Sequence, residues 1–166
     1  MTEKDLLEGK KLLIVDDEPD VLDTLEELLA MCDISRATSF DEAKELLETR
    51  NFDLAILDIM GVQGYDLLDM ANKKGVTAVM LTAHAMTPDN IVKSYKEGAA
   101  YFIPKEEIIR IDTFLNDVLK AKEKGKSPWL SWLARLSEAY WEKRFGPDWQ
   151  EKDPEFWEEF IKKHSY

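Results

Sequence analysis

The chain has 166 residues, 45% hydrophobic and 34% charged, which is room for one ordinary domain, a proper core and a small appendage. Its net charge of −12 argues against general nucleic-acid binding, because a polyanion would be repelled at long range. Cys32 is the single cysteine, so internal disulfides and a cysteine zinc cluster are excluded. No apolar run approaches the roughly 20 residues of a membrane span. Residues 1–10 are acidic and lack the basic-then-apolar layout of a signal peptide, so a cytoplasmic location with no membrane partner is expected.

In chain order, short apolar runs alternate with helical stripes. Residues 11–15 (KLLIV) read as a buried strand, and 19–31 as a helix with Val21, Leu22, Leu25, Leu28 and Leu29 on one face and Pro19 in the first turn. Residues 33–38 suggest a weaker strand, 40–49 a helix entered through Ser39, and 54–57 (LAIL) a second buried strand. A helix over 65–74 stops at Gly75, a strand covers 76–81 (VTAVML), and a helix over 88–97 starts at Thr87-Pro88 and stops at Gly98. Residues 101–103 complete the strands. Residues 106–122 read as the fifth helix, with Ile108, Ile111, Leu115, Val118 and Leu119 at helical spacing. Five strands alternating with five helices predict an α/β fold, a doubly wound five-stranded parallel sheet covered on both faces. Right-handed crossovers leave few topologies, among which the flavodoxin-like order is common at this length.

In such sheets ligands bind beyond the carboxyl ends of the strands. There the first run leads into Asp16, Asp17 and Glu18, the third into Asp58, the fourth into Thr82, and the fifth ends near Lys105. Each of these alone reads equally well as a cap or turn residue. Four strand ends supplying an acidic pair, a carboxylate, a hydroxyl and an ammonium point instead to one site. Three carboxylates in one pocket repel, so the cluster suits a hard cation such as Mg²⁺ (or Mn²⁺). A carboxylate attacking a phosphoryl donor needs positive charge and hydrogen-bond donors around the transferred oxygens, which the cation, Lys105 and Thr82 would provide. The product would be an aspartyl phosphate.

The segments LLIVDDEPDVLDTL, DLAILDIM, AVMLTAHA and GAAYFIPK resemble the four signature blocks of response-regulator receiver domains, over about residues 10–122. The resemblance implies Asp58 as phosphoacceptor, Asp17 as direct Mg²⁺ ligand, Asp16 as second member of the acidic pocket, and Met60 as a ligand through its backbone carbonyl only. It implies that Thr82 and Lys105 contact the phosphoryl group and that Phe102 holds the aromatic switch position. The donor would be a phosphohistidine on a sensor histidine kinase or phosphotransfer protein. Two departures stand out. The family places a glycine eight residues after the phosphoacceptor, whereas Gly64 comes after six, implying a loop two residues shorter. Lys105 is followed by Glu106 where the family usually has proline, and Pro104 precedes it instead.

The remainder reads more plainly. His84, two residues after Thr82, is either an exposed loop residue or a group that tunes water access. Cys32 fits a small semi-buried apolar residue. His164 lies near the end of the chain given and carries no assigned chemistry. Composition changes near Gly125, dividing a receiver domain (1–124) from an aromatic-rich extension (125–166). The extension has 7 basic and 8 acidic residues and holds all five tryptophans: Trp129, Trp132, Trp141, Trp149 and Trp157. Two helices are expected there. The first starts at Ser127-Pro128 with Trp129, Trp132, Leu133, Leu136 and Tyr140 and ends at Gly146-Pro147. The second starts at Asp153-Pro154 with Phe156, Trp157, Phe160 and Ile161. Such a pair cannot bury its own surface, so docking on the receiver or on a second copy in a homodimer is expected. The predicted function is a Mg²⁺-dependent phospho-accepting signalling domain that acts through protein contact, with an unnamed downstream protein and no nucleic acid. The alternatives are a phosphorylation-independent binding module and a hydrolase using an aspartyl-phosphate intermediate.

Overall fold

The computed structural model describes residues 5–59, 63–83, 87–129, 131–132, 142–143, 145–146, 151 and 153–164. Met60, His84, Leu133, Leu136, Tyr140, Trp141, Pro147 and Trp149 therefore lie outside the described residues. The chain alternates β1 (Lys11–Val15), α1 (Pro19–Leu28), β2 (Asp33–Ala37), α2 (Phe40–Thr49), β3 (Leu54–Asp58), α3 (Gly64–Lys73), β4 (Thr77–Thr82), α4 (Pro88–Lys96), β5 (Tyr101–Pro104) and α5 (Ile111–Glu123). A last helix, here α6, spans Pro154–His164. The five strands form one parallel sheet in the order β2-β1-β3-β4-β5.

Local chemistry explains the boundaries. The central strand β3 is buried along its whole length, as an apolar run between two covered faces must be. Helix α1 opens with Pro19, which needs no amide partner there. Helix α2 opens on Ser39, whose hydroxyl accepts from the Glu42 amide at 3.2 Å, and α4 on Thr87, which accepts from the Asn90 amide at 3.2 Å. Both hydroxyls satisfy an amide that the first helical turn leaves without a carbonyl. Helices α1 and α5 pack together. Across α3 and α4, the Tyr65 hydroxyl donates to Asn90 Oδ1 at 2.9 Å and lies 3.2 Å from Ser94 Oγ.

Two expectations are corrected. Helix α1 ends at Leu28 rather than 31, because Leu29 leaves helical geometry (φ −117°) and stays buried as the chain turns into β2. The fifth helix does not begin at 106. Residues Lys105–Arg110 form a 3₁₀ segment kinked internally at Glu107 (φ −101°, ψ 15°), and α5 starts only after Arg110, which leaves helical geometry at φ −98° and ψ 14°. The cause is visible in burial: Ile109 is 73% exposed, whereas Ile111, Phe114, Leu115, Val118 and Leu119 form the continuous buried stripe. Ile108 alone of this segment packs against the core, and only partly, so little apolar surface holds it as part of the long helix.

The extension joins the same core. Trp129, Trp132, Trp157 and Phe160 are all buried and continuous with the sheet residues. Gly125, at φ +65°, turns the chain out of α5 in a conformation that side chains disfavour. The Trp129 indole N–H then donates to the Ala99 carbonyl and that of Trp132 to the Phe102 carbonyl, each at 2.9 Å. Tyr95 of α4 is met edge-on by Trp129, Phe156 and Phe160 at centroid distances of 5.1–5.5 Å. The docked alternative is therefore the arrangement of the described residues.

Candidate functional site

The site lies beyond the carboxyl ends of β1, β3, β4 and β5. Asp16 follows β1 directly and Asp58 ends β3, and these two strands are hydrogen-bonded neighbours. Both carboxylates are buried, Asp16 at 1% and Asp58 at 5% exposure. Lys105 arrives from the far side of the sheet, just past β5. Its Nζ lies 2.9 Å from Asp16 Oδ2, 3.6 Å from Asp58 Oδ1 and 3.9 Å from Glu18 Oε1. Thr82, the last residue of β4, is buried and stands opposite Pro104, one step beyond the pairing of Asp58 with Leu81. Phe102 is fully buried on β5, three residues before the lysine.

Electrostatics follow from this crowding. Burial raises Asp16 above the ordinary carboxylate value, opposed by the Lys105 ammonium and the Glu18 amide, while the neighbouring Asp58 pushes in the same direction as burial. Burial pulls Lys105 down, but Asp16, with Asp58 and Glu18 behind it, outweighs that and leaves the ammonium above the ordinary lysine value. The lysine is thus a fixed cation held between two buried carboxylates.

The donor set fits a hard cation. Asp16, Asp17 and Glu18 can each offer a carboxylate oxygen within 4.8 Å of one another. Asp16 Oδ1 accepts from the Glu18 amide at 2.9 Å, whereas the buried Oδ2 has no well-aligned hydrogen bond and only the Lys105 ion pair. An oxygen-only group with one under-satisfied buried carboxylate oxygen, open to solvent at Asp17, suits an ion that keeps several waters. Glu18 was not among the expected site residues. Its sequence signal, a third consecutive acid after β1, was also the signal of a helix-entry residue. Asp58 lies across the lysine from this triple.

Gly64 packs directly against the end of β3. Its amide donates to the Ile59 carbonyl at 3.1 Å, and Gln63 before it takes a left-handed conformation (φ 55°, ψ 54°). A Cβ on Gly64 would fall 2.2 Å from the Asp58 carbonyl oxygen. Any side chain there would displace the backbone that carries the Asp58 carboxylate. Elsewhere, burial pushes the Cys32 thiol up to about 11, and its Sγ lies 3.4 Å from the Leu7 carbonyl, as suits an inert packing residue.

Comparison with known proteins places this geometry. The response regulator receiver domain model matches residues 12–115. A sensory transduction protein, LytR, of Staphylococcus epidermidis is 36% identical over 126 residues, covering 70% of this chain and 49% of its own length. A two-component response regulator of Arabidopsis thaliana, ARR18, is 32% identical over 103 residues, covering 58% of this chain and 16% of its own length. The chain thus spans half or less of these curated relatives. Among solved structures, a CheY-like receiver domain protein from Methanospirillum hungatei superposes with a TM-score of 0.60 at 25% identity, covering 70% of this chain and 98% of the other. The receiver domain of an HD domain-containing protein from Pseudomonas fluorescens gives a TM-score of 0.63 at 23% identity, covering 70% and 98%, which shows the shared fold. The family match runs from β1 into α5 and encloses every residue of the acidic and lysine cluster; the chain belongs to the response regulator receiver domain family, the phosphorylation-accepting signalling module of two-component systems.

Proposed function

We propose that Asp58 is the phosphoacceptor of this receiver, that Asp16 and Asp17, with the backbone carbonyl of Met60, hold a Mg²⁺ ion beside it, and that residues 1–124 form the receiver with 125–166 as its extension. The observation that carries the reading is Lys105 Nζ, held between buried Asp16 and Asp58 by ion pairs of 2.9 and 3.6 Å. A carboxylate oxygen of Asp58 attacks the phosphorus of the donor, forming a P–O bond as the bond to the leaving group breaks. With a phosphohistidine donor that bond is P–N, and the imidazole leaves. The bound cation would supply charge neutralisation for the phosphoryl oxygens. Lys105 pairs with the same oxygens at the cost of its contact with Asp16, and the Thr82 hydroxyl donates to them from the end of β4. A donor histidine kinase or phosphotransfer protein and a downstream protein partner follow from this role. Among the described residues no helix is long and apolar enough to cross a membrane.

Intact-mass measurement after incubation with a small acyl phosphate and Mg²⁺ tests the assignment. One phosphoryl group should be added to the wild type, none to Asp58→Asn, and little in the presence of a chelator. An adduct that persists in Asp58→Asn defeats it, and the absence of any adduct favours the phosphorylation-independent module.

A further inference from the structure

We propose that the C-terminal extension is a tethered latch on β5 and α4, closed in the unmodified protein and loosened by phosphorylation of Asp58. The inference rests on the assignment of Asp58 as phosphoacceptor. β5 is the edge strand, and its Phe102 carbonyl takes the indole N–H of Trp132 at 2.9 Å, while that of Trp129 bonds the Ala99 carbonyl at 2.9 Å, just before the strand begins. The Tyr101 hydroxyl lies 3.1 Å from Ser131 Oγ, and the Tyr101 ring packs on Phe114 of α5 and on Trp129. Tyr95 of α4 is enclosed by Trp129, Phe156 and Phe160. The extension is therefore bonded to the strand that delivers Lys105, and one bond falls on the backbone of Phe102, three residues before it.

Phosphorylation changes what Lys105 must do. Its ammonium now pairs with Asp16 at 2.9 Å and with Asp58 at 3.6 Å. An aspartyl phosphate adds negative charge and three acceptor oxygens beyond Asp58. Lys105 must reorient towards them, and Thr82, opposite Pro104 at the end of β4, is drawn the same way. β5 is only four residues long, so a shift at Pro104–Lys105 reaches Phe102 with little to absorb it. Hydrogen bonds weaken steeply with misalignment. Both indole bonds are at good length in the unmodified state, so displacement of β5 can only cost them. That sets the sign: modification opens the latch. By linkage, loosening the latch must favour the modified state by the same factor.

The test uses the full chain with Mg²⁺ and beryllofluoride as a non-covalent phosphoryl mimic, followed by NMR and hydrogen exchange. Saturation of the Asp58 pocket should accelerate exchange of the Trp132 indole N–H and the α6 amides by about fivefold or more, the equivalent of one ordinary hydrogen bond. Trp132→Phe, which keeps the ring and removes the donor, should tighten beryllofluoride binding by about two- to fivefold. Ser131→Ala, a milder loss at the Tyr101 contact, should move binding in the same direction and serves if the first variant folds poorly. Pocket shifts that saturate while exchange in the extension is unchanged or slowed overturn the latch and leave the phosphoacceptor intact. No pocket shifts at all, in wild type as in Asp58→Asn, remove the phosphoacceptor assignment and the latch with it.

Discussion

Replacing Lys105 by Met removes one charge from a buried cluster while nearly conserving volume. Asp16 is 1% exposed and the lysine side chain only 11%, so solvent can do little to replace the lost partner. Breaking a buried pair by removing one member costs about 3–5 kcal/mol, and here the orphaned Asp16 also faces Asp58. Asp16 can escape part of that cost by taking a proton, so we expect about 3 kcal/mol in chelator at neutral pH, a fall in Tm of about 6–12 °C. The pH dependence has a definite sign. Asp16 is already raised by burial, and loss of the ammonium raises it further. A carboxyl raised in the folded state contributes stability below its unfolded value that is lost as pH rises through its folded value. The deficit of Lys105→Met relative to wild type should therefore shrink as pH falls from about 7 towards about 5. Mg²⁺ should also shrink it, by about 1.4 kcal/mol at saturation for each tenfold by which the variant binds the ion more tightly than wild type, because a cation in the acidic triple replaces the missing charge. Thermal melts with and without chelator, across pH, read all three effects. A variant as stable as wild type in chelator, or a deficit independent of both pH and Mg²⁺, would refute the buried-cluster argument.

Two further substitutions probe the same site. Asp16→Asn should stabilise the metal-free protein at neutral pH, since burial disfavours the ionised Asp16 carboxyl and Lys105 keeps Asp58 and Glu18 as partners, yet weaken Mg²⁺ binding measured by calorimetry. Equal or tighter Mg²⁺ binding would take Asp16 out of the cation site. Gly64→Ala should cost about 1–3 kcal/mol or more in denaturant unfolding and slow phosphorylation, because its Cβ would lie 2.2 Å from the Asp58 carbonyl oxygen. Unchanged stability and rate would mean that the loop after Asp58 can move aside freely.

Much of this protein was written along the chain. Alternating apolar runs and helical stripes specify five strands and five helices because side-chain period and burial are local properties of a segment. Ser39 and Thr87 mark helix starts because capping acts within four residues. The polar strand ends Asp16, Asp58, Thr82 and Lys105 were legible because a parallel sheet gathers such ends on one rim. Distances across that rim were not. That Lys105 sits between Asp16 and Asp58, and that Glu18 joins the cluster, depends on strands adjacent in space and far apart in sequence. The steric demand at Gly64 arises from the return of the chain onto the Asp58 backbone, which no spacing encodes. The start of α5 was misread because Ile108 fits the helical period, whereas burial, which the fold alone assigns, begins at Ile111. The aromatic stripe of the extension required a partner, but its own residues could not say which. That was settled by geometry: the Phe102 carbonyl of the edge strand and the Ala99 carbonyl just before it lie beside α4 and its Tyr95, where indole donors and aromatic rings are buried together.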